Sequence, residues 1–228
     1  NPVADISLDN ISFSNNKTFA SLFFKNKVFD NFSISTLGVH QLLNSLAAFG
    51  VIQHYELNSQ IALKELKNWY PRNGRGNFLD ISFKKKLKKI NIRIIDESYN
   101  CNPTSLYASF DTVKYANFSV KSNFSRKIAI LGDMLELGSN EKKIHRLISK
   151  NKNLHYFSTI HCVGNLMKEL YRELPREKKG LLVDTPKDLI FHIKNNLKDG
   201  DIYLIKGSNS IGLSFIVNKL YDLNGNYI

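Results

Sequence analysis

Three β-like apolar stretches open the chain, Ile6 to Phe13, Thr18 to Phe24 and Val28 to Ile34, separated by the polar clusters Asn15-Asn16-Lys17 and Lys25-Asn26-Lys27. Such clusters suit hairpin turns, so the segment predicts an antiparallel meander. Gly38 breaks the pattern, and Leu42, Leu43, Leu46, Ala47 and Val51 then recur at helical spacing, which predicts a helix from His40 to His54. A second helix is expected from Asn58, as its N-cap, to Leu66, and Tyr70-Pro71-Arg72-Asn73-Gly74-Arg75-Gly76-Asn77 ends it. Glycine and proline at this density mean irregular backbone, and the domain boundary is placed here, dividing residues 1–69 from 70–228. From Phe78 onward strand-like and helix-like segments alternate, which predicts an α/β domain with a mostly parallel sheet and helices on both faces. Strands are expected at Ile90 to Ile95, Lys127 to Leu131, Tyr156 to Val163, Leu181 to Val183 and Ile202 to Ile205. Helices are expected from about Pro103 to Ala116, Glu141 to Lys150 and Asn165 to Leu174, then from Asp184-Thr185-Pro186 to about Leu197, and finally through Tyr221.

The stretch Ile94-Ile95-Asp96-Glu97-Ser98-Tyr99-Asn100-Cys101-Asn102-Pro103 runs from a buried strand into acids, a hydroxyl, a phenol and carboxamides. In open α/β sheets ligands bind beyond the carboxyl ends of the strands. Asp96 and Glu97, Asp133, Gly164, Asp184 and Lys206 all fall at such ends and would line one rim. Acids plus a lysine there suit a nucleotide, a metal-phosphate or an amine substrate. For each residue taken alone a capped turn is an equally good account, and Asp184 in particular reads as a plain N-cap. Gly74 and Gly76 could bring backbone close to a phosphate, without the third glycine of a dinucleotide motif. Arg72 or Arg75 could supply a fixed positive fork, although a loop arginine is more often solvated. His40, Gln41 and Asn44 can share one face near a helix start, where carboxamides could pair with an adenine edge or simply finish the helix end.

Composition narrows the class. The chain has 228 residues, 43% of them apolar and 11% aromatic, enough for an ordinary core. No apolar run approaches the ~18 residues that span a bilayer, and Asn1-Pro2-Val3-Ala4-Asp5 resembles no export signal. Since the chain also begins without Met, it is expected to be a fragment. Cys101 and Cys162 make neither a metal spacing nor a disulfide framework, which fits a reducing cytoplasm. The net charge of +12 invites a nucleic-acid reading, but the lysines are spread along helix faces and one run, Lys84-Lys85-Lys86-Leu87-Lys88-Lys89, that reads as a hairpin loop or edge-strand device. No nucleic-acid partner is therefore expected. The chain has no Gly-x-x-x-x-Gly-Lys-[Ser/Thr], no His-Glu-x-x-His, no Cys-x-x-Cys and no nucleophile elbow, so it holds no self-contained catalytic motif.

Gly38-Val39-His40-Gln41-Leu42-Leu43-Asn44-Ser45-Leu46-Ala47-Ala48 resembles the Gly-x-His-Asn-x-x-Asn-x-x-Ala-Ala segment of the Mur ligases. Asp96 to Pro103, then Ala129-Ile130-Leu131-Gly132-Asp133-Met134-Leu135-Glu136-Leu137-Gly138, His145 and Lys206-Gly207-Ser208 resemble the branch that adds D-alanyl-D-alanine to UDP-N-acetylmuramoyl-tripeptide. The resemblance implies that residues 1–69 are the end of a central ATPase domain and residues 70–228 a Rossmann-like C-terminal domain. It implies phosphorylation of a substrate carboxylate by ATP with Mg²⁺, then attack of the dipeptide amine on the acyl phosphate, in a monomeric enzyme of peptidoglycan precursor synthesis. By position, His40, Gln41 and Asn44 would belong to the adenine side, Arg75 would reach the phosphates, and Asp96 or Glu97 would contact ribose or phosphate-associated groups. Tyr99, Asn100 and Asn102 would complete that loop, and Asp133, Lys206 and Ser208 would lie on the acceptor side. Gln41 stands where Asn is usual and Glu97 where a second Asp is frequent, each lengthening the side chain. The phosphate-loop lysine, the Mg²⁺-binding acid and any modified lysine would then lie upstream, and no catalytic residue is assigned within this chain. Alternatives are another ligase of the superfamily, such as a folylpolyglutamate synthase, and a non-catalytic Rossmann-like binding module.

Overall fold

The computed structural model describes residues 4–14, 16–25, 27–117 and 126–226. Asn15 and Asn26, from the expected turn clusters, and Asn1 to Val3 lie outside the described residues. The chain forms two compact units, Asn1–Pro71 and Arg72–Ile228.

In the first unit β1 (Ile6–Ser14), β2 (Lys17–Phe24) and β3 (Lys27–Ile34) form an antiparallel sheet in chain order. Helices α1 (Val39–His54) and α2 (Ser59–Asn68) follow. Side chains on a strand point alternately to the two faces, so Ala20 and Leu22 of β2 bury together, with Phe32 and Ile34 of β3, against Leu42 and Phe49 of α1. Phe49 meets Phe24 and Phe29 edge-on, at ring distances of 6.1 and 5.6 Å. Asn58 starts α2 by accepting hydrogen bonds at Oδ1 from the Gln60 and Ile61 N–H groups, at 2.9 and 3.2 Å.

The second unit runs β4 (Asn77–Lys85), β5 (Lys88–Glu97), α3 (Pro103–Tyr115), β6 (Lys127–Gly132), α4 (Glu141–Leu147), β7 (Thr159–Val163), α5 (Met167–Glu173), β8 (Lys179–Val183), α6 (Pro186–Asn196), β9 (Ile202–Lys206) and α7 (Ser214–Tyr221). The sheet order is β4-β5-β9-β6-β7-β8, with β4 antiparallel to β5 and every other pair parallel. The lysine run becomes the β4–β5 hairpin: Lys84 pairs with Lys89, Lys85 with Lys88, and Lys86 and Leu87 turn the chain with φ of +46° and +66°.

Ile92 and Ile94 of β5, Ile128 and Ile130 of β6, and Tyr203 and Ile205 of β9 pack on Leu189 and Ile193 of α6 and on Ile216, Val217 and Leu220 of α7. Their neighbours along the strands, Ile95, Ala129, Leu131 and Leu204, are fully buried on the other face. There α3 lies against β9 and α5 against β7 and β8. Because β9 slots between β5 and β6, the carboxyl ends of these three strands stand side by side. Among the described residues no helix is long and apolar enough to cross a membrane.

Two sequence expectations are corrected. Tyr156 is not strand but ends a 3-10 helix, Lys152–Tyr156, and β7 begins only at Thr159. Phe157 is buried by packing edge-on against Phe110 at 5.4 Å, a core contact that an apolar run cannot distinguish from a strand. Asp184 is not the N-cap of α6. That residue is Thr185, in a capping box with Asp188, and Asp184 pairs instead with Lys168 at 3.4 Å.

Candidate functional site

The carboxyl rim is assembled around Asp96, 3% exposed at the end of β5. One carboxylate oxygen accepts the Gly74 N–H at 2.8 Å, and the other accepts the Ser98 N–H and hydroxyl at 3.1 and 2.7 Å. Its carbonyl takes the Gly76 N–H at 2.8 Å, while the Gly74 carbonyl takes the Tyr99 N–H at 3.1 Å. Asp96 thus fastens the Asn73–Gly76 loop to the start of the Ser98–Asn102 loop. Gly74 is required at this junction: its φ is +75°, and a Cβ there would stand 2.8 Å from the Tyr99 Cβ. The result displays Arg75 with its guanidinium 4.1 Å from the centre of the half-exposed Tyr99 ring. Beside them lies a pocket of about 410 Å³, lined by Asn73, Gly74, Asp96, Ser98, Tyr99 and Asn209, and by Leu79 with Ser214, Val217, Asn218 and Tyr221 of α7.

On the opposite face of β5 and β9, Glu97 and Lys206 are register partners and form an ion pair at 3.2 Å. The Lys206 ammonium also donates to the Asn100 carbonyl at 3.0 Å, so the buried lysine holds the rim loop from beneath. Burial, reinforced by Glu97 and opposed by Lys206, pushes the adjacent Cys101 thiol up to about 12, so it is no nucleophile at neutral pH. Asn100 accepts the Cys101 N–H at Oδ1, and Asn102 is the N-cap of α3, in a capping box with Ser105.

The Gly132–Gly138 loop is held in the same way. The two Asp133 oxygens accept the Leu166 and Met167 N–H groups at 3.1 and 2.7 Å, anchoring the start of α5. Gly164 is needed for that approach, because with φ at +108° its Cβ would stand 2.4 Å from the Asp133 carboxylate. His145, fully buried, accepts the Met134 N–H at Nε2 and donates from Nδ1 to the Glu141 carbonyl. Ser208 accepts the Leu135 N–H at 2.9 Å.

The structure therefore places Asp96 and Tyr99 in the lining of the pocket, with Arg75 stacked on Tyr99, and shows Asp133, Asn102 and Ser208 bonded to backbone. Glu97 and Lys206 bond to each other behind the rim. His40, Gln41 and Asn44 lie on the first turns of α1 in the first unit. The reading from sequence missed the α7 side of the pocket. Ser214, Val217, Asn218 and Tyr221 stand three, four and seven apart, one helical face, and that spacing was the available signal.

A parallel sheet with an antiparallel edge strand and a polar crevice at its carboxyl ends defines a Rossmann-like α/β domain. The chain belongs to the family described as Mur ligase, glutamate ligase domain, whose model matches residues 84–209. It is 25% identical over 197 residues to the UDP-N-acetylmuramoyl-tripeptide–D-alanyl-D-alanine ligase of Bacillus subtilis, covering 85% of this chain and 40% of that protein. The crystal structure of MurF from Acinetobacter baumannii superposes with a TM-score of 0.80 at 19% identity, covering 97% of this chain and 46% of that one. MurF from Thermotoga maritima, solved in complex with ADP, gives 0.73 at 20% identity, covering 96% and 46%. The chain thus spans about two fifths of the length of the curated relative.

Proposed function

We propose that the chain is the carboxyl-terminal part of an ATP-dependent amide ligase that joins D-alanyl-D-alanine to UDP-N-acetylmuramoyl-tripeptide. The observation that carries the reading is the Arg75–Tyr99 display, built by Asp96 and Gly74 beside a pocket lined by both polar and apolar side chains. Family membership and the activity named for the Bacillus subtilis relative support it. The chemistry is phosphorylation of the tripeptide carboxylate by ATP, followed by attack of the dipeptide amine on the acyl phosphate. In it Arg75 meets phosphate oxygens with a planar, permanently charged fork, and Tyr99 holds that fork in place. Asp96 acts by fixing the backbone of both loops. His40, Gln41 and Asn44 are assigned to recognition of the base, Glu97 to the ATP side, and Asp133, Lys206 and Ser208 to the acceptor side.

Mg²⁺ bound together with ATP belongs to the proposal, with no ligand for it assigned among the described residues. A cytoplasmic, monomeric enzyme is part of the proposal, and the two buried free cysteines agree with a reducing compartment. The test is phosphate release by the full-length protein, with UDP-N-acetylmuramoyl-tripeptide and D-alanyl-D-alanine in one arm and folate with glutamate in the other. Turnover only with the muramoyl substrate is expected. Turnover with folate alone, or with neither pair, would refute the assignment.

A further inference from the structure

We propose that the second unit carries another binding site, for a small anion presenting carboxylate or phosphate oxygens, at the amino ends of its strands. There a cavity of about 270 Å³ lies between β6, β7, β8 and β9 and helix α6, at the end of the sheet away from the rim. His161, His192, Lys179, Arg126 and Asn196 line it.

His161 decides what the cavity can hold. It is 4% exposed, and its Nδ1 accepts the Leu181 N–H at 2.9 Å, which places the ring proton on Nε2. Among the described residues no solvent-shielded side-chain nitrogen lacks a partner, and Nδ1 makes the one hydrogen bond of this ring, so the Nε2–H opens onto the cavity. Burial and then the neighbouring His192, 5.5 Å away between ring centres, hold its pKa down at about 4. The ring is therefore a neutral donor across the physiological range. A transition metal would need the Nε2 lone pair, which requires moving the proton to Nδ1, against the Leu181 N–H. The same hydrogen bond selects an acceptor instead.

Charge points the same way, since no carboxylate lines the cavity. The Arg126 guanidinium is held by Asp201 at 2.8 and 2.6 Å and donates to the Asn196 carbonyl, so its charge is balanced and its plane fixed. The Lys179 ammonium lies against α5, reaching the Arg172 carbonyl at 3.4 Å and the Tyr171 ring at 5.1 Å on the face of the sheet opposite α6, so its charge does not enter the cavity. The ring depends on Gly180, where a Cβ would lie 2.5 Å from Nδ1. The donor is thus held by two elements of the sheet.

The experiment follows the imidazole resonances of isotopically labelled 228-residue chain during separate titrations with inorganic phosphate and acetate, against chloride at equal ionic strength. Saturable movement of the His161 and His192 signals is expected with at least one oxyanion, and which of the two binds tells phosphate from carboxylate. His161→Asn keeps an oxygen for the Leu181 N–H but ends short of the Nε2 position. It is expected to weaken binding about tenfold or more, read on His192, as loss of a charge-assisted hydrogen bond predicts. Lys179→Met, which removes an ammonium lying against α5, is expected to leave the affinity unchanged. Shifts no different from chloride, or an affinity unchanged in His161→Asn, would overturn the proposal.

Discussion

Replacing Lys206 by Met tests whether the rim depends on the ion pair beneath it. The Lys206 side chain is 1% exposed and Glu97 12%, with 3.2 Å between charged atoms, so solvent cannot take over when one partner is removed. Lys206→Met would leave a buried carboxylate with no counter-charge, a change that typically costs about 3 to 5 kcal/mol. It would also leave the Asn100 carbonyl without its 3.0 Å donor, worth about 1 kcal/mol more. A loss of about 4 to 6 kcal/mol is expected for the second unit. Adding Glu97→Gln removes the stranded charge, so the double variant is expected to recover about half of that loss. Because Glu97→Gln alone strands the buried Lys206 charge and is destabilising too, the coupling exceeds the recovered part and is above about 2 kcal/mol. Hydrogen exchange at the Ile94, Ile95 and Leu204 amides, in the centre of the second sheet, is the suitable measurement. A single-variant cost below about 1 kcal/mol, or a double variant as unstable as the sum of the singles, would refute the reasoning.

Stability should fall with acid through His161. Its folded pKa, held down to about 4, lies below the ordinary 6.5, so between these values the unfolded chain binds more protons and stability is lost as pH falls. The contribution is present in full above about pH 7 and amounts to roughly 3 kcal/mol lost by pH 4; urea unfolding of His161→Asn should show a correspondingly shallower decline, and parallel curves would remove His161 as the cause. Gly164→Ala should cost about 2 to 4 kcal/mol, because a Cβ would meet the Asp133 carboxylate at 2.4 Å with φ at +108°, and an unchanged thermal midpoint would contradict that packing. In the full-length protein Arg75→Ala should weaken ATP use about tenfold to a hundredfold while the fold persists, and unaltered steady-state ATP dependence would take Arg75 out of the site.

The elements legible in the sequence are those whose signals are local. The alternation from Ile90 to Tyr221 gave the Rossmann-like sheet, and the Lys84–Lys89 run gave the hairpin because its charge and turn lie within six residues. Pro103 and Asn102 gave the start of α3 for the same reason. What escaped depends on partners far along the chain. Phe157 reads as strand until Phe110 is seen to bury it. The carboxylate of Asp133 meets the α5 backbone across 33 and 34 residues, and Lys206 meets Glu97 across 109, distances over which no spacing rule operates. Thr185 and Asp184 are both good caps by composition, and only backbone geometry chose between them.

These long-range bonds explain why the rim motifs contain so many polar residues. Asp96, Asp133, His145 and Ser208 each end in hydrogen bonds to backbone N–H groups, and Asn102 caps a helix. A loop at the edge of a parallel sheet leaves its own amides without ladder partners, and burying them unsatisfied would cost about 1 to 3 kcal/mol each. The motif side chains meet those amides, which lets irregular loops pack closely and stay fixed. The groups left for a ligand are then fewer than the motif suggests: Tyr99, carrying Arg75 on its ring, and in the pocket lining Asn209 with the polar residues of α7. Substituting a residue of the first set should therefore act on rim geometry and stability together. Substituting one of the second should act on ligand affinity with the fold retained, and comparing Asp96→Asn with Tyr99→Phe by hydrogen exchange and ATP dependence in the full-length protein separates the two. If both lowered stability alike, the division between framework and display would fail.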